Sequence, residues 1–200
     1  MVLGCTILLS ENQVMRFTLF YRGPLKSNRG VEDKQLIRRA FHPQLKQLWT
    51  QPPLADFSDW LKPGPTPGNI TLIEKIGHFQ FAPLISESNH MVAELNITML
   101  RPGAPGDLVS HAGDLDNRIK TLLDALRVPR EATGLPRGDA PTKDETPFFC
   151  LLGDDRLVTQ LNISTASLLE PVSSPAEVVL LLEVNTRATR LTFANVGLSS

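Results

Sequence analysis

Two hundred residues are enough for one domain with a buried core, and the chain carries 42% apolar and 20% charged residues, unlike a disordered protein. The net charge of −1 gives no global positive field that would indicate a polyanion partner. Two cysteines, far apart in sequence, exclude a disulfide framework. No apolar run approaches the roughly 18–20 residues that cross a bilayer, so we expect a cytoplasmic protein without a membrane partner.

The first predicted element is a strand at residues 16–21, where apolar and polar-capable positions alternate. Residues 1–14 are therefore interpreted as an N-terminal extension. A loop follows, and then a helix is predicted over residues 33–42, with apolar residues at helical spacing. Pro43 ends this helix or opens another one.

Residues 52–68 are Pro-rich and predict an ordered surface excursion, which Phe57 and Trp60 would hold against the domain. Residues 70–76 and 78–83 then predict a short hairpin. These elements precede the most regular part of the chain.

The most clearly predicted strand covers residues 91–100, because every second position is apolar. The most regular helix covers residues 115–126, where apolar residues follow the i, i+3, i+4, i+7 pattern. Residues 127–147 are rich in Pro, Gly and charge, which is typical of an inserted loop. Two further strands are predicted at residues 157–163 and 177–184.

This mixed order of strands and helices predicts one α+β domain over residues 1–200. We expect a mixed or antiparallel sheet with helices on one face and long Pro/Gly-rich loop insertions. No internal repeat is visible, which excludes a solenoid.

Positive charge is concentrated near the N-terminus: residues 16–46 contain eight Lys/Arg and two acidic residues, a local net charge of +6. A basic face beside an acidic centre is typical of a phosphate-binding surface around a metal site, although a solvated face explains the charges equally well. The candidate nucleic-acid-binding residues are Arg22, Lys26, Asn28, Arg29 and Arg118.

The second helix carries the candidate chemistry. At about 100° per residue, Asp116, Lys120 and Asp124 form one stripe beside the apolar face, and Asp114 lies where the chain enters the helix. Helix capping and an i,i+4 ion pair are the simpler explanations of these side chains when each is taken alone.

A second acidic segment is the predicted turn Asp154-Asp155, and aspartates are common in turns for purely structural reasons. Together, an Asp-x-Asp pair and a third Asp from another loop supply the hard oxygen ligands that Mg²⁺ prefers. Lys120 would then face the same opening and could contact a scissile phosphate.

The segment GDLDNRIKTLLDAL at residues 113–126 resembles the signature of RusA-type Holliday-junction resolvases. That signature is Asp-x-Asp-Asn, a Lys four residues after the second Asp, and then Asp-Ala-Leu. The next element of the family is an Asp-Asp turn before a strand, and residues 153–158 (GDDRLV) are similar to it. An initial strand that runs into a Pro/Ser/Asn loop also recurs, at residues 17–28.

The resemblance implies an endodeoxyribonuclease for branched DNA such as four-way junctions, dependent on Mg²⁺ or alternatively Mn²⁺, and acting as a homodimer. By the same resemblance, Asp114, Asp116 and Asp155 would be metal-binding catalytic carboxylates, and Lys120 would be the catalytic-site lysine. Three more residues match the motif and would have supporting roles: Asn117, Asp124 and Asp154.

Two alternatives remain open at this point. The chain could be a binding module on the same fold that recognises DNA structure or a protein without cutting, although clustered like charges would then have no use. It could also be a nuclease for another nucleic acid, because its length exceeds that of the family in residues 43–76 and 127–147. The sequence contains no zinc-ligand spacing, P-loop or GxSxG motif.

Overall fold

The computed structural model describes residues 13–27, 30–64, 70–103, 114–192 and 194–199. This part of the chain has the predicted α+β character, with two long helices and two mixed sheets. The long elements, in chain order, are β1 (Gln13–Pro24), α1 (Val31–Leu48), β2 (Glu74–Ile76), β3 (Phe79–Ile85), β4 (Met91–Arg101), α2 (Asp114–Leu126), β5 (Phe148–Leu152), β6 (Val158–Ser167) and β7 (Glu177–Ala188).

The first sheet has four strands in the order β1-β7-β4-β6. β7 pairs antiparallel with both β1 and β4, whereas β4 and β6 are parallel. The alternation predicted for β4 is confirmed, because every second side chain is buried, including Leu95 and Ile97. β6 is an edge strand, and none of its residues is fully buried.

The second sheet has three strands in the order β2-β3-β5. The predicted hairpin is confirmed as β2 and β3, which turn at Gly77 with a left-handed φ of 58°. β5 pairs parallel with β3 and is buried along its whole length. A single sheet was expected, and residues 148–152 were not among the predicted strands. A fully buried strand has no alternation that would distinguish it from other buried segments.

α1 continues through Pro43 instead of ending there. The second half of the helix carries Leu45, which is fully buried, so its packing outweighs the backbone hydrogen bond that proline removes. Gln44 lies on the same stretch and accepts from the Phe20 backbone N–H at 2.9 Å while donating to the Phe20 carbonyl at 2.7 Å. The helix therefore covers the outer edge of β1, as an exposed strand edge requires.

The excursion after α1 folds into a 3-10 helix, Leu54–Leu61, which confirms its predicted order. The ring centroids of Phe57 and Trp60 lie 4.6 Å apart, and Trp60 is buried. Residues 65–68 of the predicted excursion lie outside the described residues.

The start of β1 differs from the prediction. The strand begins at Gln13, and the Met15 N–H donates to Thr186 Oγ1 at 3.0 Å, so residues 13 and 14 of the predicted extension belong to the sheet. Within the described ranges, no helix is long and apolar enough to cross a membrane.

The segment after α2 packs against both α1 and β5. The Val128 N–H donates to the Leu152 carbonyl at 2.9 Å, which places the end of α2 beside the end of β5. Arg39 on α1 binds Asp139 and Glu145 at 2.8 Å each. The predicted inserted loop at residues 127–147 is therefore an ordered segment with two short 3-10 turns.

Candidate functional site

α2 presents the motif residues on its outer side. Asp116 and Lys120 are exposed, whereas Leu122 and Ala125 on the opposite side are buried. Asp114 is the first residue of the helix, and its side chain lies outside the described residues. This arrangement leaves Asp116 and Lys120 accessible to a ligand.

Asn117 contributes its backbone rather than its side chain to the described contacts, because its carbonyl accepts from Thr121 Oγ1 at 3.0 Å. This bond is the i to i−4 back-bond that threonine makes in helices. The supporting role predicted for the Asn117 side chain stays a prediction.

Asp124 connects the two helices at the C-terminal end of α2. Its carboxylate accepts from Lys34 Nζ at 2.7 Å and from Arg127 Nη2 at 2.9 Å. Burial raises the pKa of Asp124, but the hydrogen bonds from the two cations outweigh this effect and hold the pKa below its usual range. Asp124 is thus a structural ion-pair partner in the described contacts.

Arg38 closes the same helix end and was not singled out from the sequence. Its guanidinium donates to the Asp124 carbonyl at 2.8 Å and to the Arg127 carbonyl at 3.2 Å, so it satisfies carbonyls that have no partner within the helix. Arg38 is only 4% exposed, and burial lowers its pKa. A cation supplied by another helix leaves no local sequence signal.

The Asp154-Asp155 turn lies beyond the end of β5. Asp154 accepts from the Arg156 backbone N–H at 2.9 Å and from Arg156 Nε at 3.0 Å, and the backbone bond in particular lowers the pKa of Asp154 to about 2. This confirms the turn chemistry of Asp154. Asp155 instead lies 3.9 Å from Arg127 Nε and 3.7 Å from Arg130 Nη2.

Glu74, at the start of β2, is a further carboxylate beside this turn. Burial raises its pKa, and the charge of Asp154 raises it further. A Cβ atom added to Gly153 would lie 3.4 Å from Glu74 Oε1, which shows how closely the two segments approach. Sequence reasoning missed Glu74 because nothing local links β2 to a turn that follows β5.

The contacts of Asp155 join it to the C-terminal end of α2. Asp116 precedes Asp124 by eight residues and therefore lies about 12 Å from it along the helix axis. Arg127 contacts both Asp124 and Asp155, so these two carboxylates lie near each other. None of the described contacts joins Asp155 to Asp116. Among the residues with described side chains, no group of three His, Cys, Asp or Glu could hold a metal ion. The convergence of Asp114, Asp116 and Asp155 stays a prediction, because the Asp114 side chain is outside that set.

Arg22, predicted to bind nucleic acid, is engaged in ion pairs. Its guanidinium lies 2.7 Å from Glu170 and 2.9 Å from Glu177. These hydrogen bonds raise the pKa of Arg22, with Glu177 the larger contributor. A phosphate would have to compete with two carboxylates for this side chain.

The other predicted nucleic-acid-binding residues lie near the loop after β1. Arg118 Nη1 donates to the Leu25 carbonyl and so ties α2 to this loop. Lys26, next to Leu25, is half-buried. Asn28 and Arg29 lie outside the described residues.

A cavity of about 270 Å³ opens where the first turns of α1, the end of α2 and the following segment meet. We call it the basic pocket, because four cationic side chains line it. They are Lys34, Arg38, Arg127 and Arg130.

No family model, curated protein or solved structure matches this chain. What the chain does is therefore inferred from the motif residues themselves and from their positions in the structure.

Proposed function

We propose that this chain is a metal-dependent endonuclease of the RusA type, which cuts branched DNA as a homodimer. The observation that carries the proposal is the joint pattern of residues 113–126 and 153–158, an Asp-x-Asp-Asn motif with its Lys and a separate Asp-Asp turn. The exposure of Asp116 and Lys120 on an otherwise well-packed helix supports it. Burial of the apolar face is enough to account for the formation of this helix, so its exposed motif residues are available to bind a ligand.

Asp114, Asp116 and Asp155 would hold the metal in this proposal. Carboxylate oxygens are the donors that Mg²⁺ and Mn²⁺ take, so the donor set has the right chemistry. Asp155 is 37% exposed, and its two arginine partners lie beyond hydrogen-bond distance. Such ion pairs are weak, so a cation can displace them from Asp155. When bound, the metal would supply a Lewis acid for phosphodiester hydrolysis.

Lys120 would bind the phosphate under attack. It follows Asp116 by four residues, so both side chains leave the same side of the helix. A cation at this position stabilises the negative charge that develops on phosphate oxygens.

A second candidate function is a DNA-structure or protein binding module that does not cut. The ion pairs of Asp155 with Arg127 and Arg130 favour it, because they balance the charge of Asp155 without a metal. The two candidates differ in one observable, the hydrolysis of phosphodiester bonds.

The test is an assay of the purified chain on four-way junction DNA, duplex DNA, single-stranded DNA and RNA, with Mg²⁺, Mn²⁺ or EDTA. The proposal predicts cleavage of the junction, in metal only, at two symmetric positions, because a two-fold dimer presents two equivalent sites. Junction binding without cleavage in either metal supports the binding module. Cleavage of RNA alone supports a nuclease of another substrate.

A further inference from the structure

The basic pocket is built from three separate parts of the chain. Lys34 and Arg38 come from α1, Arg127 follows α2, and Arg130 comes from the next segment together with Glu131. Its volume of about 270 Å³ is below the roughly 300–1,000 Å³ of pockets that enclose whole small molecules. The size therefore favours a small charged group over a complete cofactor.

Arg38 gives this pocket a buried positive charge without a carboxylate partner. Its hydrogen bonds go to two backbone carbonyls and to Gln35 Oε1, at 3.1 Å, and among the described residues no carboxylate lies within 4.0 Å of its nitrogens. A buried charge that is paired only with neutral groups leaves a positive potential in the adjacent space. An anion in the pocket would offset it.

The carboxylates at the basic pocket do not neutralise all of its positive charge. Asp124 is shared between Lys34 and Arg127, and its charge also acts on Arg38. Asp155 faces Arg127 and Arg130, and Glu131 is exposed, so four cations meet three carboxylates. The Nε atom of Arg127 is buried and has no hydrogen-bond partner in the described part of the chain. Arg130 is 67% exposed, and the ion pair that it makes with Asp155 in the described part of the chain is 3.7 Å long. Both guanidinium groups therefore keep donors for a further acceptor.

We propose that the basic pocket binds a backbone phosphate of the nucleic acid, at a position separate from the phosphate that is cut. The nucleic acid as the source of this phosphate rests on the proposed function, whereas the anion site rests on the pocket itself. Arginine and lysine side chains that converge on a small cavity suit a phosphodiester, which offers several acceptor oxygens.

The spacing along α2 suits such a contact. Asp124, at the edge of the pocket, lies about 12 Å along the helix axis from Asp116. This distance leaves room for the pocket to hold a different phosphate of the strand from the one at the proposed metal site. The pocket then fixes the position of the strand and reads no sequence.

The test measures binding of labelled four-way junction DNA by fluorescence anisotropy in EDTA, over a range of salt concentrations, with the full chain. We expect Arg130→Gln to weaken binding about 5- to 10-fold at 0.1 M salt and to reduce the slope of log K against log salt by about 0.9, the value for one lost phosphate contact. Lys34→Gln should act in the same direction. Arg137→Gln is the matched control, because Arg137 is an exposed cation of the same segment outside the basic pocket, and it should change binding less than twofold.

A second measurement follows the amide and arginine Nε–H NMR signals during titration with sodium phosphate, against sodium chloride at equal ionic strength. Saturable shifts at Arg127 and Arg130 are expected. If neither variant changes the salt slope, the nucleic-acid contact is overturned, even where phosphate binds. If phosphate also causes no shift, the anion site itself is overturned.

These outcomes separate the inference from the proposed function. A wild-type chain that cuts no substrate but loses DNA affinity on Arg130→Gln would refute the nuclease and keep the phosphate site. A chain that cuts junctions while Arg130→Gln and Lys34→Gln bind like wild type would keep the nuclease and refute the phosphate site.

Discussion

Arg127 donates from Nη2 to Asp124 Oδ1 at 2.9 Å, within a single turn of chain at the end of α2. The same guanidinium lies 3.9 Å from Asp155, so one side chain connects the motif helix to the acidic turn after β5. This connection is the described link between the two halves of the sequence signature.

We predict that Arg127→Gln destabilises the protein by about 1–3 kcal/mol, because it removes a hydrogen-bonded charge that is only 14% exposed and leaves Lys34 as the cation that pairs with Asp124 among the described residues. Urea denaturation measures the effect. Arg130→Gln is the control and should cost less than about 0.5 kcal/mol, because Arg130 is exposed and its ion pair with Asp155 is long. Equal losses in the two variants would show that Arg127 has no special structural role.

Much of the fold was predictable because its signals are local. The alternation in β4 and the apolar stripe of α2 are properties of adjacent residues, and both predictions are confirmed. β5 was not predicted as a strand, because a fully buried run carries no period, and Pro43 does not end α1 as local rules suggest.

The candidate site was predictable only in part, because its composition depends on contacts between distant segments. The motif identified Asp116 and Lys120, which the structure leaves exposed. No pattern linked Arg38 to the end of α2, which lies 86 residues later in the chain, or Glu74 to the acidic turn. Tertiary packing brings these residues together.

The stability of the protein should fall at mildly acid pH because of His42. Nδ1 of His42 accepts from the Phe149 N–H at 2.9 Å, so Nε2 carries the proton and donates to the Asp144 carbonyl at 3.0 Å. Burial lowers the pKa of His42 in the folded state. The unfolded chain therefore binds the proton more tightly than the folded chain does. The free energy of unfolding keeps its full value above about pH 6.5 and decreases as the pH falls below it, by at most about 1.4 kcal/mol per pH unit.

Urea midpoints between pH 8 and pH 5 test this prediction. His42→Gln should be less stable at pH 8 but should lose the component of the pH dependence that begins near 6.5. His78→Gln is the control, because His78 lies in an exposed turn, and it should keep the wild-type profile. A His42→Gln profile parallel to that of the wild type would assign the acid sensitivity to other groups, such as Glu145.

Arg39 should anchor the segment after α2. Its ion pairs with Asp139 and Glu145 are 2.8 Å long, and both carboxylates are mostly buried. We predict that Arg39→Gln costs about 1–3 kcal/mol, since it leaves two carboxylates without their cation. Hydrogen exchange in residues 137–146 should become faster. Lys46→Gln removes an exposed lysine that donates to the Asp144 carbonyl at 3.1 Å and lies 3.6 Å from the Asp144 carboxylate, and it should speed that exchange much less than Arg39→Gln does.

Asp155→Asn separates the two candidate functions. If Asp155 is a metal ligand, the rate of Mg²⁺-dependent cleavage should fall by at least about 100-fold in this variant. Replacing a residue that only orients a metal ligand typically lowers activity by a smaller factor, about 10- to 100-fold. Its stability should change by less than about 0.5 kcal/mol, because its ion pairs are long and partly exposed. Cleavage at a near wild-type rate would remove Asp155 from the metal site.

The most direct measurement of the central claim is the rate of four-way-junction cleavage in Mg²⁺ by wild type, Asp116→Asn and the exposed-carboxylate control Asp56→Asn. The substitution at Asp116 removes one anionic oxygen from the proposed metal site without adding bulk, so cleavage should fall by at least about 100-fold. Junction affinity in EDTA should be equal or tighter, since repulsion of phosphates decreases, and the unfolding midpoint should be unchanged. Asp56→Asn should cut like wild type. Cleavage by Asp116→Asn at the wild-type rate would contradict the account, and loss of folding in that variant would show that Asp116 serves the helix and not a metal.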